Sequence, residues 1–234
     1  MRFVDFTRRE NRESVLQLTG DVAVIAVPIY GERIPPLVYR CLRNIEGRVK
    51  PLVVISVYGN MGFGISLEQF TQYAKENHFK LIGAGTFVGE HTYACEKLPV
   101  ACGRPDEADL ERAREFGRLI REKLDRGDTE PISVPKSKLP EFITKFPDTG
   151  TRFLIKQPVA DKALCNRCGV CVLKCPIGAI DLTTLEINEK DCLRCYACVK
   201  GCPQKARRAE FRFGFFGAIF KTIGGKRKES RFYI

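Results

Sequence analysis

Two stretches of unbroken apolar, β-branched residues stand out in the first half of the chain: Asp21 to Val27 (Asp-Val-Ala-Val-Ile-Ala-Val) and Pro51 to Val57 (Pro-Leu-Val-Val-Ile-Ser-Val). Runs of this length without alternation predict strands buried on both faces. A third strand is expected from Lys80 to Phe87. Between and after the strands the apolar spacing lengthens to a helical period. It predicts helices from about Pro35 to Ile45, from Leu67 to Asn77 and from Pro105 to Leu124. The prolines that open the first helix are tolerated in its first turn. Asp106, Glu107 and Asp109 sit at the positive end of the last. Strands alternating with helices predict an α/β domain with a doubly wound parallel sheet over residues 1–125.

After this region the pattern changes. Residues 126–159 carry Pro131, Pro135, Pro140, Pro147 and Pro158, which reads as a linker with one short helix near Leu139 to Phe146. Residues 160–208 hold eight of the eleven cysteines, in two copies of one pattern. The first is Cys165-x2-Cys168-x2-Cys171-x3-Cys175-Pro176 and the second Cys192-x2-Cys195-x2-Cys198-x3-Cys202-Pro203; they align without gaps. A [4Fe–4S] cube needs four inward-pointing thiolates. Three cysteines at three-residue intervals curl around three corners, while the fourth is carried away by a short helix and ligates the other cluster. The expected ligand sets are therefore crossed. Cys165, Cys168, Cys171 and Cys202 hold cluster one; Cys192, Cys195, Cys198 and Cys175 hold cluster two.

Zinc is the competing metal, but zinc sites pair two Cys-x2-Cys knuckles across a longer gap. Disulfides are disfavoured because the chain shows no secretory leader and reads as cytoplasmic. Cys41, Cys95 and Cys102 lack cluster spacing. Here the sequence resembles the bacterial-type two-cluster ferredoxin, an α+β domain that carries electrons.

The N-terminal half adds a second resemblance. The loops after the first two strands are Pro28-Ile29-Tyr30-Gly31 and Tyr58-Gly59-Asn60, where open α/β sheets bind ligands. Together with Gly89-Glu90-His91 and the stretch 102–110, they resemble the flavodoxin–ferredoxin fusion proteins of anaerobic bacteria and archaea. The resemblance implies FMN against Tyr30, Gly31, Tyr58, Gly59 and Asn60. The chain departs from that family in one respect: no Thr-Gly phosphate loop follows a first strand. With Val4 to Phe6 taken as the second flavodoxin strand, the domain is an incomplete flavodoxin-like sheet: either its first strand is encoded upstream of Met1, or the chain is a degenerate relative.

The formal charge is +11, and from Pro203 onward nine cations face two carboxylates. Residues 209–234 read as a basic, phenylalanine-bearing tail: a docking strip for an acidic redox partner rather than a nucleic-acid site. No apolar run reaches the ~18 residues of a membrane-spanning helix. No nucleophile–base pair, carboxylate pair or dinucleotide fingerprint is evident. The expectation is an electron-transfer protein relaying electrons through two [4Fe–4S] clusters, to or from a flavin. The alternatives are an FMN-dependent oxidoreductase fed by the clusters, and a redox-sensing or interaction subunit. His91 is expected at the surface, and Tyr196, which replaces Gly169 of the first repeat, is expected to pack near a cluster.

Overall fold

The computed structural model describes residues 2–12, 18–43, 45–140, 152, 154–208 and 210–234. Three strands, β1 (Ala23–Pro28), β2 (Pro51–Tyr58) and β3 (Lys80–Val88), lie side by side in chain order and run parallel. The connections carry α1 (Pro36–Leu42) and α2 (Ser66–Glu76), and α3 (Glu107–Asp125) follows β3. A fourth strand, β4 (Arg231–Tyr233), comes from the far end of the chain and pairs antiparallel with β3. The result is a mixed α/β protein with an open four-stranded sheet, followed in sequence by a ferredoxin-type domain. Residues 2–5 carry no regular structure, so the strand expected at Val4 to Phe6 is absent. Most of the short helix expected at Leu139 to Phe146 falls outside the described residues.

The sheet is covered on both faces, unequally. On one, Ala23, Ile25, Val27, Leu52 and Val54 pack beneath Leu42 of α1 and Phe70 and Tyr73 of α2. On the other, Val53, Ile82 and Phe87 meet Phe116 and Ile120 of α3. Gly83 makes that second layer possible, because a Cβ there would stand 2.3 Å from Ile120 Cδ1. The single helix α3 does not reach β1. Alternate residues of β1 therefore face outward and Val24 is 60% exposed, so this strand is not buried on both faces. An apolar run specifies a strand; how many layers cover it depends on helices elsewhere in the chain.

The linker and the tail are tied to the sheet. Ile132 donates its N–H to Leu81 O (2.8 Å), and Ile132 and Val134 join the α1–α2 core. Residues 209–234, read from sequence as a tail, form α6 (Gly214–Gly224) and then β4, whose Phe232 stacks on Phe116 at 5.3 Å. The N-terminus of α3 is closed by a capping box: Asp106 accepts from Asp109 N (3.1 Å) and Asp109 from Asp106 N (3.0 Å).

The glycines at 62 and 64 follow from close packing between loops. The Ile65 N–H donates to Glu32 O (2.9 Å), bringing the loop after β2 against the loop after β1. Gly64 has φ +50°, and a Cβ there would stand 2.0 Å from Glu32 O. Gly64→Ala is expected to destabilise the protein by about 1–3 kcal/mol, read as a lower denaturant midpoint with an unchanged slope.

Candidate metal centres

The sequence repeat is also a backbone repeat. Each half places a short helix after its third-residue turn, α4 (Val170–Leu173) and α5 (Ala197–Lys200). Three matched pairs adopt left-handed φ: Arg167 (59°) with Arg194 (56°), Gly169 (74°) with Tyr196 (58°), and Gly178 (59°) with Lys205 (50°). The hydrogen bonds match as well. Ala179 N donates to Cys175 Sγ at 3.2 Å, and Ala206 N to Cys202 Sγ at 3.3 Å. Such N–H donors stabilise negative sulfur.

The repeats enclose two cavities of about 320 and 330 Å³, both partly open to solvent. The first is lined by Cys165, Cys168, Cys171 and Cys202, with Leu185 and Arg207. The second is lined by Cys192, Cys195, Cys198 and Cys175, with Ile180 and Tyr196. Each cavity thus gathers three cysteines from one repeat and one from the other. Among the described residues no three His, Cys, Asp or Glu side chains converge closely enough to grip a single ion. The thiols ring a space suited to something larger, and a cubane cluster fits this donor set better than zinc does.

Electrostatics separate the empty from the loaded state. Burial pushes the Cys198 thiol up to about 12, against the opposing pull of Arg207, and burial also raises Cys195. Neutral thiols are favoured until bound iron draws the protons off. Arg207 is buried at the first cavity, donating to Pro158 O (3.3 Å) and to Leu185 O, and it also acts on Cys198. It is a fixed cation within reach of both sites, which lowers the cost of placing negative charge there.

The second repeat is also clasped by the loop after β3. Thr92 Oγ1 donates to Cys195 O (2.5 Å), Tyr93 OH to Arg194 O (3.3 Å), and Lys200 Nζ to Ala94 O (2.7 Å) and Glu90 (2.6 Å). The Tyr93 ring meets Tyr196 edge-on at 4.9 Å, and Tyr196 OH donates to Lys156 O at 2.7 Å. His91 is half-buried rather than open to solvent. It lies against Phe220 and Tyr93, and burial, with help from Lys200, lowers its pKa to about 4, so it is neutral at pH 7. The sequence shows no hint of this clasp, because the partners lie about a hundred positions apart.

The residues expected to hold FMN do not fit it. Tyr58 is buried in the core beside Phe63 rather than presenting a flat face. Asn60 is spent on the chain's own tail: its side chain donates to Gly224 O and Lys226 O (both 2.8 Å) and accepts from Lys228 N (3.0 Å). Gly59 is closed off by His91, whose ring would stand 2.5 Å from an added Cβ. Tyr30 is half-buried, and burial first, then Cys195, raise its pKa to about 12. Gly31 is exposed with φ +57° and nothing packed on it.

Two matched four-cysteine cavities on a backbone repeat define a dicluster ferredoxin, and residues 157–203 match the family described as 4Fe-4S dicluster domain. The delta subunit of NADH-dependent phenylglyoxylate dehydrogenase from Aromatoleum evansii is 30% identical over 81 residues, 34% of this chain and 87% of that subunit. The chain belongs to this family of 4Fe–4S dicluster ferredoxins. It is also 41% identical to pyruvate synthase subunit PorD of Methanothermobacter marburgensis over 54 residues, 23% of this chain and 65% of PorD. An uncharacterized polyferredoxin-like protein of Methanocaldococcus jannaschii is 43% identical over 51 residues, 22% of each chain. These likenesses support an iron–sulfur electron-transfer role. Among the described residues no helix is long and apolar enough to cross a membrane.

Proposed function

We propose that this chain is the electron-transfer subunit of a multi-subunit oxidoreductase and holds two [4Fe–4S] clusters. Cys165, Cys168, Cys171 and Cys202 bind one, and Cys192, Cys195, Cys198 and Cys175 the other. The observation that carries the reading is the pair of cavities, each ringed by four cysteines drawn from both repeats. Each cluster supplies reversible one-electron chemistry. The protein's part is to fix the thiols, donate Ala179 and Ala206 N–H groups to sulfur, and set Arg207 against the clusters' negative charge. Tyr196 and the Thr92–Tyr93 clasp cover part of the second site and limit its contact with water, which favours the less charged state of whatever is bound there.

The names of the delta subunit and of PorD support a protein partner within an enzyme complex. Flavin has no place in this reading, since the chain's own tail and His91 fill the loops that would hold it. The protein prepared under argon is expected to contain about eight iron and eight sulfide per chain and no FMN, and to show reduced-cluster EPR signals after dithionite. One zinc per four cysteines, or stoichiometric flavin, would overturn it.

A further inference from the structure

The two halves of the domain share one sequence pattern and one backbone, so a difference between their surroundings reports on the rest of the chain. In the second repeat Arg194, Tyr196 and Cys198 are buried, under the Thr92–Tyr93 loop. Arg9 packs against Gly178, between Ile177 and Ala179 of this cavity's lining. In the first repeat the matched Arg167 is exposed, Cys171 is half-buried, and Gly169 stands where the second repeat has Tyr196. The α/β domain clasps the second repeat and leaves the first the barer of the two, although both cavities open to solvent.

What surrounds the barer site is unusual for a solvent face. Among the described residues of 155–208 the exposed large apolar side chains are Val159, Leu164, Leu173 and Leu182, and two of them, Leu164 and Leu173, lie within two positions of Cys165 and Cys171 in the first cavity's lining. Leu164 adjoins Cys165, and Leu173 ends α4 at 86% exposure. Leu182 is 73% exposed and precedes Thr183, whose carbonyl accepts from Arg167. Scattered surface leucines need no explanation, but apolar groups gathered at the mouth of a reactive site do. Arg167 and Lys205 are next in sequence to residues of the first cavity's wall, and Lys162 lies between Ala160 and Cys165 of the same wall; all three are exposed. Lys162 and Lys205 have no ion pair among the described residues. An apolar centre within a charged rim is the anatomy of a transient docking surface, and a positive rim steers a negative partner.

From this asymmetry we infer that electrons enter and leave through the first-repeat cluster. The docking surface is Leu164, Leu173 and Leu182 inside the rim of Lys162, Arg167 and Lys205. The partner it fits is a redox protein with carboxylates around an apolar centre. The second-repeat cluster is an inner station that exchanges only through the first. One electron crosses per encounter: one cluster core changes between its 2+ and 1+ states, the partner's centre changes by one in the opposite sense, and no proton need move. This inference rests on the two-cluster reading above.

The test uses the oxidised full-length holoprotein and its residue-assigned, hyperfine-shifted cysteine proton signals. Tris(oxalato)chromate(III), a trianionic relaxation agent, is the probe. Broadening at Cys165, Cys168, Cys171 and Cys202 is expected to exceed that at Cys175, Cys192, Cys195 and Cys198 by roughly tenfold at low salt, and to fall as salt is raised. Lys162→Glu with Lys205→Glu should remove most of that excess, while a neutral gadolinium chelate still distinguishes the two sets. Equal broadening of both sets, or a larger effect on the second, overturns the inference, and the salt series on the unaltered protein decides it even if the variant folds poorly. Carbodiimide coupling to an acidic flavodoxin then locates the contact. Cross-links at Lys162 and Lys205 support the surface; their absence, or cross-links confined to Lys221 and Lys226 beside the exposed face of α6, overturns it. A protein with no hyperfine-shifted cysteine signals at all would instead fail the two-cluster reading.

Discussion

Cys202→Ala is expected to remove the cluster associated with the first repeat and to spare the other, although Cys202 belongs to the second repeat. The argument is geometric. Cys202 lines the same cavity as Cys165, Cys168 and Cys171, whereas the Cys192 cavity takes its fourth thiol from Cys175. Ala206 N donates to Cys202 Sγ in the arrangement that Ala179 N repeats at Cys175. Losing one of four thiolates leaves an iron corner open to solvent, and iron content should fall by about half or to a three-iron remnant. The expected readout is loss of one of two reduced-cluster EPR signals, with the surviving signal unchanged by Cys168→Ala and lost with Cys175→Ala. Loss confined to the cavity of Cys192, Cys195 and Cys198 would show that the ligand sets are not crossed.

Because binding energy of this kind is folding energy, the same variant should loosen the domain. The module has few deeply buried apolar side chains of its own; Ile155, Ala179, Ile180, Leu185, Tyr196 and Ala206 are among them. Each cavity takes one cysteine from the other repeat, so emptying one site loosens a segment that also serves the other. Far-UV circular dichroism of the variant should change little. Thermal unfolding should begin earlier, and earlier still when iron is chelated.

The parts of this protein that could be read from sequence are those whose signals are local. The strands at Ala23–Pro28, Pro51–Tyr58 and Lys80–Val88 announce themselves as continuous apolar runs, and α3 as an amphipathic period with acidic residues at its start. Cysteine spacing carries its own geometry, since three-residue intervals allow only a tight loop. The strand expected near Val4 failed for want of such a signal: three residues with one central charge have no pattern of their own. The flavin expectation rested on weaker ground than the cysteines. Tyr30, Gly31, Tyr58, Gly59 and Asn60 are the residue types that line such sites, but residue type does not say what occupies the space. Here it is the stretch from Gly224 to Ser230, more than 160 positions downstream of Asn60. Nor is β4 visible in advance. Arg231–Tyr233 is three residues long and finds its place only because Phe116 and β3 are already there.

That returning segment also bears the second large effect. Asp109→Asn is expected to cost about 3–5 kcal/mol, because it leaves the buried Arg104 guanidinium with only the partly exposed Asp106, 3.7 Å away, as counter-charge. Arg104 and Asp109 are 9% and 3% exposed and meet through two hydrogen bonds. Ser230 Oγ donates to Asp109 at 2.9 Å and accepts from Val88 N at 3.1 Å, while Arg104 also holds Lys228 O at 3.3 Å. One carboxylate thus joins the capping box of α3, the end of β3 and the approach to β4. Its loss should free the last ten residues first, read as faster amide exchange in β4 before any change in α2.

The acid limb of stability gives an independent check on Asp109. Burial alone would raise its pKa, but hydrogen bonds from Arg104, Asp106 N–H and Ser230 outweigh it, and the folded value lies below the ordinary one. A carboxyl depressed on folding contributes stability that is fully present above its unfolded pKa of about 3.9 and is lost as pH falls through the folded value. The unaltered protein should therefore lose stability on acidification below about pH 4, and Asp109→Asn should lose less over the same interval because it has no proton to take up there. If the two acid limbs run parallel, the carboxylate does not carry the latch. Arg104→Met, which removes the buried cation instead, is then the variant that separates the capping box from the ion pair: it should spare the Asp106–Asp109 exchange of hydrogen bonds while releasing Lys228, so α3 keeps its N-terminal protection as β4 loses its own.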